Sequence, residues 1–122
     1  MKKIVLIPTR LESKRLPGKA LLDVDGLPII VHTAKRASMA KNVDEVNVCT
    51  DSQKIIDVCN SYGINCIKTG KNFQNGTERI ASVASSFKGS LIIDVQGDEP
   101  LFNHLDLKKI IKYTKNNKKV LL

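Results

Sequence analysis

The chain has 122 residues, enough for one domain with its own core and too few for several. With 42% hydrophobic and 26% charged residues it is globular in composition, which excludes a disordered chain. The formal net charge of +8 raises the question of nucleic acid, but the chain is poor in aromatic rings on which bases could stack, and its cations gather at residues 10–19 and in the C-terminal LKKIIKYTKNNKK.

The N-terminus, MKKIVLIPTR, is too short in apolar residues for a signal-peptide core or a membrane span, so the sequence is read as cytoplasmic, with no membrane partner. Within it KIVLIP predicts a buried strand, rich in Ile and Val and followed by turn residues. The basic loop RLESKRLPGK comes next. It is not a Walker-type phosphate loop, because Ser13 stands where that motif needs glycine and Ala20 where it needs Ser or Thr. Nor does the first strand run into G-x-G-x-x-G. Arg10, Arg15 and Lys19, on a loop bent at Pro17-Gly18, could nonetheless wrap a polyphosphate, the arginines as planar forks and the lysine as a mobile point charge.

Helical spacing follows over residues 28–41, then a strand in DEVNVCT, a helix over 52–62 and a strand in GINCIK. Thr50-Asp51-Ser52 supplies capping residues for the second helix, and Gly63 a stop. A third helix is predicted over 76–88 with Gly89 as its stop, then a buried strand in SLIIDVQG and a helix over 104–116 beginning near Asn103. In that last helix the lysines would face water, as charge runs usually do. The alternation β-α-β-α-β-α-β-α predicts an α/β fold with right-handed crossovers and a mostly parallel sheet covered by helices on both faces.

Such sheets bind ligands beyond the carboxyl ends of their strands, where strand order reverses. Every unusual polar cluster here follows a strand: the basic loop, CTDS, TGKNFQNGTER and QGDEP. Asp98 and Glu99, ending a core strand opposite a cationic loop, suit magnesium, which takes one or two carboxylates and completes its shell with phosphate oxygens and water. Other chemistries fit less well. His32 and His104 lack the ligand spacing of a zinc site and read as structural or surface residues, and no G-x-S-x-G nucleophile elbow occurs. Cys49, Cys59 and Cys66 form no CxxC pair and read as reduced thiols in packed positions.

Together LIPTRLESKRLPGKALLDVDGLPII, CTDS, NGTERIA and VQGDEP resemble the 3-deoxy-manno-octulosonate (Kdo) cytidylyltransferases, in the family's order across essentially the whole chain. The first motif alone would also admit other sugar-acid cytidylyltransferases, of the sialic, pseudaminic or 8-amino-Kdo type; NGTER and VQGDEP point to the Kdo branch. Where the family usually carries His-Gln-Ser before Gly-Thr-Glu-Arg, this chain has Phe73, Gln74 and Asn75. The resemblance implies a Rossmann-like nucleotidyltransferase fold. The implied reaction is attack of the Kdo anomeric hydroxyl on the α-phosphate of CTP, giving CMP-Kdo and pyrophosphate for lipopolysaccharide synthesis, with Mg2+ bridging the reactants. By resemblance Arg10, Arg15 and Lys19 hold the triphosphate and act in catalysis, Pro8, Thr9, Asn75, Gly76 and Arg79 surround the nucleotide, Gln96 faces the nucleotide–sugar junction, and Asp98 holds the metal. A non-catalytic α/β nucleotide-binding module stays open as an alternative; it has no need of both the basic loop and Asp98.

Family chains are longer, so residues 1–122 are read as the nucleotide-binding portion of a cytidylyltransferase domain, short of the sugar-binding and homodimer-forming half. Such a chain is expected to bind CTP weakly without useful turnover, and its last residues, Val120, Leu121 and Leu122, to promote self-association as an exposed strand.

Overall fold

The computed structural model describes residues 2–11, 18–40, 42–71, 76–87 and 89–95. Its centre is β1 (Lys3–Pro8), and the other parallel strands are β4 (Glu45–Thr50), β5 (Asn65–Lys68) and β6 (Leu91–Asp94), in the spatial order β5-β4-β1-β6. β1 pairs with β4 from Ile4 opposite Glu45 to Pro8 opposite Cys49, and on its other edge with β6 from Lys3 opposite Leu91 to Leu6 opposite Asp94.

The two-residue side-chain period of a strand divides β1 between two cores. Val5 and Ile7 join Ile30, Val31 and Ala34 of α1 (Ile29–Ser38) and Ile55 and Cys59 of α2 (Gln53–Ser61). Ile4 and Leu6 face the opposite way, onto Ile80 and Val83 of α3 (Gly76–Ala84). All four of these β1 side chains are essentially inaccessible, as a parallel sheet covered on both faces requires. The crossovers through α1 and α2 add strands on one side of β1; the crossover through α3 returns past them to place β6 on the other. Strand order therefore reverses between β1 and β6.

The helices begin and end close to where the sequence places them. Ser52 caps α2, its Oγ accepting from the Ile55 N–H at 3.3 Å. The chain then turns at Gly63, whose N–H donates to the Asn60 carbonyl, while the Ile64 N–H donates to the Cys59 carbonyl at 2.9 Å. Helix α3 gives way earlier than expected to a 3-10 turn, Ser85–Phe87. The helix expected over 104–116 lies outside the described residues.

One element is not anticipated by periodicity. β2 (Asp23–Val24) and β3 (Leu27–Pro28) form a small antiparallel hairpin whose turn, Asp25-Gly26, has positive φ at both positions, 51° and 85°. That is the primed turn favoured by Asp-Gly, because its twist matches that of the strands it joins. His32 on α1 donates from Nε2 to the Val24 carbonyl and ties the hairpin to the helix, a structural role in keeping with its sequence reading. Among the described residues no helix is long and apolar enough to cross a membrane.

Candidate functional site

The strand ends bring three of the four polar clusters to one edge of the sheet. At the end of β1, Pro8 is buried, the Thr9 N–H donates to the Cys49 carbonyl at 2.9 Å, and the Thr9 hydroxyl donates back to Ile7 at 3.3 Å. Thr9 is thereby held just inside the surface, and Arg10, the next residue, is exposed.

The basic loop is closed at its base by the Gly18 N–H, which donates to the Leu11 carbonyl at 2.7 Å. Gly18 has φ 75°, a left-handed conformation that carries little cost only without a Cβ. The following 3-10 turn, Lys19–Leu21, buries Ala20 in the core beneath α1 and anchors the loop's far end. Arg10 and Lys19 each lie one residue outside the closing hydrogen bond, so they flank the same mouth. Arg15, between them in sequence, lies outside the described residues, as do Asn75, Gln96 and Asp98.

Arg79, in the first half of α3, is 95% buried, and its guanidinium spans the ends of two strands. Nη1 lies 3.6 Å from Asp51 Oδ1, beyond β4, and donates to the Gly70 carbonyl at 3.0 Å and to the Thr69 hydroxyl, beyond β5. The Thr69 N–H in turn donates to the Thr50 carbonyl at 2.9 Å. Arg79 thus fixes the start of α3, which opens at Gly76, against the carboxyl edge of the sheet. The unsatisfied N–H groups of a helix start favour anions there. Sequence reading places Arg79 at the nucleotide; its grip on Asp51, Thr69 and Gly70 is visible only in three dimensions.

Near this edge Asp94 on β6 is 4% exposed, and burial pushes its carboxyl up to about 6. It stands on the α3 side of the sheet beside Cys49, whose thiol is pushed up to about 12 by burial first and then by the negative field of Asp94, with Arg79 opposing. Cys49 therefore stays a neutral thiol at physiological pH. No group of three or more His, Cys, Asp or Glu suited to a metal ion occurs among the described residues.

A parallel sheet in this order, with a glycine-closed basic loop after its first strand and a helix start held at the same edge, defines an α/β domain of the nucleotidyltransferase type. The model of the cytidylyltransferase family matches residues 4–121, and the chain belongs to that family. It is 43% identical over 101 residues to a 3-deoxy-manno-octulosonate cytidylyltransferase of Chloroherpeton thalassium, covering 83% of this chain and 41% of the relative. It is 44% identical over 101 residues to the protein of that name from Neisseria meningitidis serogroup A, covering 80% and 40%. Among solved structures, CMP:2-keto-3-deoxy-manno-octonic acid synthetase complexed with CTP superposes with a TM-score of 0.91 at 33% identity, over 97% of this chain and 49% of that one. The chain spans about half the length, or somewhat less, of the relatives it matches.

Proposed function

We propose that the chain supplies the nucleotide-binding part of a cytidylyltransferase that joins CTP and Kdo to give CMP-Kdo and pyrophosphate. The observation that carries this reading is the convergence of the closed basic loop, Thr9 and the Arg79-anchored start of α3 on the edge where strand order reverses. Relatives 43% and 44% identical over 101 residues carry the Kdo cytidylyltransferase name, and the structure similar to it at 33% identity was solved with CTP.

In this reading Arg10, Arg15 and Lys19 hold the triphosphate and offset the charge that builds on departing pyrophosphate, while Pro8, Thr9, Asn75, Gly76, Arg79 and Gln96 border the nucleotide. Little covalent work falls to the protein; it positions the α-phosphate and neutralises charge. A single carboxylate, Asp98, beside phosphate oxygens is a donor set suited to Mg2+, which would polarise the phosphates when bound. The reaction belongs to the cytoplasm, and the whole enzyme to a homodimer.

Isothermal titration with CTP, ATP, GTP and UTP in magnesium, beside a coupled assay of pyrophosphate release from CTP and Kdo, tests the proposal. Saturable binding of CTP in preference to the other three is the expected result. Indifference to all four nucleotides would remove the nucleotide reading.

A further inference from the structure

The CTDS segment at the end of β4 is the polar cluster to which the nucleotide reading gives no part. Its first three residues hold three different elements. The Cys49 carbonyl accepts the Thr9 N–H at the end of β1, the Thr50 carbonyl accepts the Thr69 N–H at the end of β5, both at 2.9 Å, and the Asp51 carboxylate lies 3.6 Å from Arg79 of α3. Asp51 is itself fixed from both sides. Before it, the hydroxyl of buried Thr50 accepts the Ser52 N–H at 3.2 Å, and after it Ser52 caps α2. The carboxylate is therefore the fixed member of the pair, and Arg79 the member that is placed.

We propose that Asp51 is a positioning residue for the nucleotide site: by pairing with Arg79 it ties the start of α3 and the end of β5 to the end of β4, and through Cys49 to Thr9 beside the basic loop. The proposal rests on the nucleotide reading above and gives Asp51 no contact with the nucleotide.

The surroundings of Arg79 explain why a carboxylate stands at this position. Arg79 is buried, and a buried cation is costly without a counter-charge. The Gly70 carbonyl and the Thr69 hydroxyl accept from its Nη1, but they are neutral and both belong to the β5 side. With Asp51 neutralised, Arg79 would keep α3 joined to β5 and lose its charged tie to β4. Because β4 lies between β5 and β1, that tie bridges the strand separating the start of α3 from the basic loop. A nucleotide held by the basic loop at one end and bordered by Gly76 and Arg79 at the other is sensitive to any shift between them.

The experiment is titration calorimetry of the full chain with CTP in magnesium, comparing the parent with Asp51→Asn, and Asp51→Glu with Asp51→Gln, each below its own unfolding transition and with its fold verified by circular dichroism. Within each pair the shape is kept and the charge removed. The charged member should bind CTP about tenfold more tightly, the size of a hydrogen bond to a charged group. The Glu–Gln pair keeps the comparison readable should Asp51→Asn not fold, and recovery of affinity in Asp51→Glu over Asp51→Gln is an effect that a general loss of stability does not produce. Amide hydrogen exchange along α3 should also quicken in the amide variants. Equal CTP affinities within a folded pair, or tighter binding by the amide member, would overturn the proposal and leave the nucleotide reading standing. A parent chain indifferent to CTP overturns that reading, and the proposal with it.

Discussion

Arg79→Ala separates two roles for one residue. In the structure Arg79 is 95% buried and its guanidinium holds Asp51, Gly70 and Thr69 at once. Breaking a buried charge pair by removing one partner costs about 3–5 kcal/mol. Asp51 keeps 26% of its side chain accessible and regains some hydration, which places the expected loss near the lower figure, about 3 kcal/mol. In a domain of this length each kcal/mol corresponds to about 4 °C, so Tm should fall by roughly 12 °C. Thermal and urea unfolding of Arg79→Ala, Arg79→Lys and the parent provide the measurement, with CTP titration of each variant below its own transition. Arg79→Lys keeps the charge but not the planar fork, and should fall between the other two. A stability within about 0.5 kcal/mol of the parent, with the loss confined to CTP binding, would refute the bracing role and leave Arg79 as a nucleotide contact alone.

Lys19→Ala and Arg15→Ala should each weaken CTP binding roughly tenfold or more in calorimetry, since a charge-assisted contact is worth about 1.5–3 kcal/mol, whereas Lys14→Ala should change little; equal small losses from all three would count against a triphosphate in the loop. The Asp94 carboxyl stands at about 6 in the fold against an ordinary 3.8, so between those values the folded chain keeps a proton that the unfolded chain has lost. Stability should therefore fall as pH rises through that window, and urea midpoints of Asp94→Asn should lack this contribution; identical pH dependence in variant and parent would contradict it. Gly18→Ala meets no atom within 4 Å of the new Cβ, so its cost should be backbone strain alone, about 1–2 kcal/mol by thermal unfolding. Ser52→Ala should cost about 1 kcal/mol through the lost cap on α2, and no change would show the Ile55 N–H equally well served by water.

The long elements were legible because each carries a strong local signal. KIVLIP and SLIIDVQG are apolar runs that only a buried strand accommodates, and Ser52 and Gly63 bracket α2 by cap and turn chemistry that acts within a few residues. The hairpin was not, because strands of two residues have no period; its one local signal was the Asp-Gly pair at 25–26. Strand order too escapes local reading, since β1 takes both its neighbours from distant sequence. At the site, clustering beyond the strand ends was readable from alternation and the sheet rule. The Arg79 bridge to Asp51, Thr69 and Gly70 was not, for it depends on how α3 packs against the ends of β4 and β5.

The central place of β1 also sets an order of events as the chain leaves the ribosome. Its first edge finds a partner once residues 45–49 have emerged, but its second edge waits for residues 91–94. During the interval a nascent sheet of β5, β4 and β1 presents the open backbone of its most apolar strand to any other extended segment nearby. The completion of β6 is thus what withdraws β1 from pairing with other chains, and the risk of misassembly on that edge lasts until Asp94 has emerged.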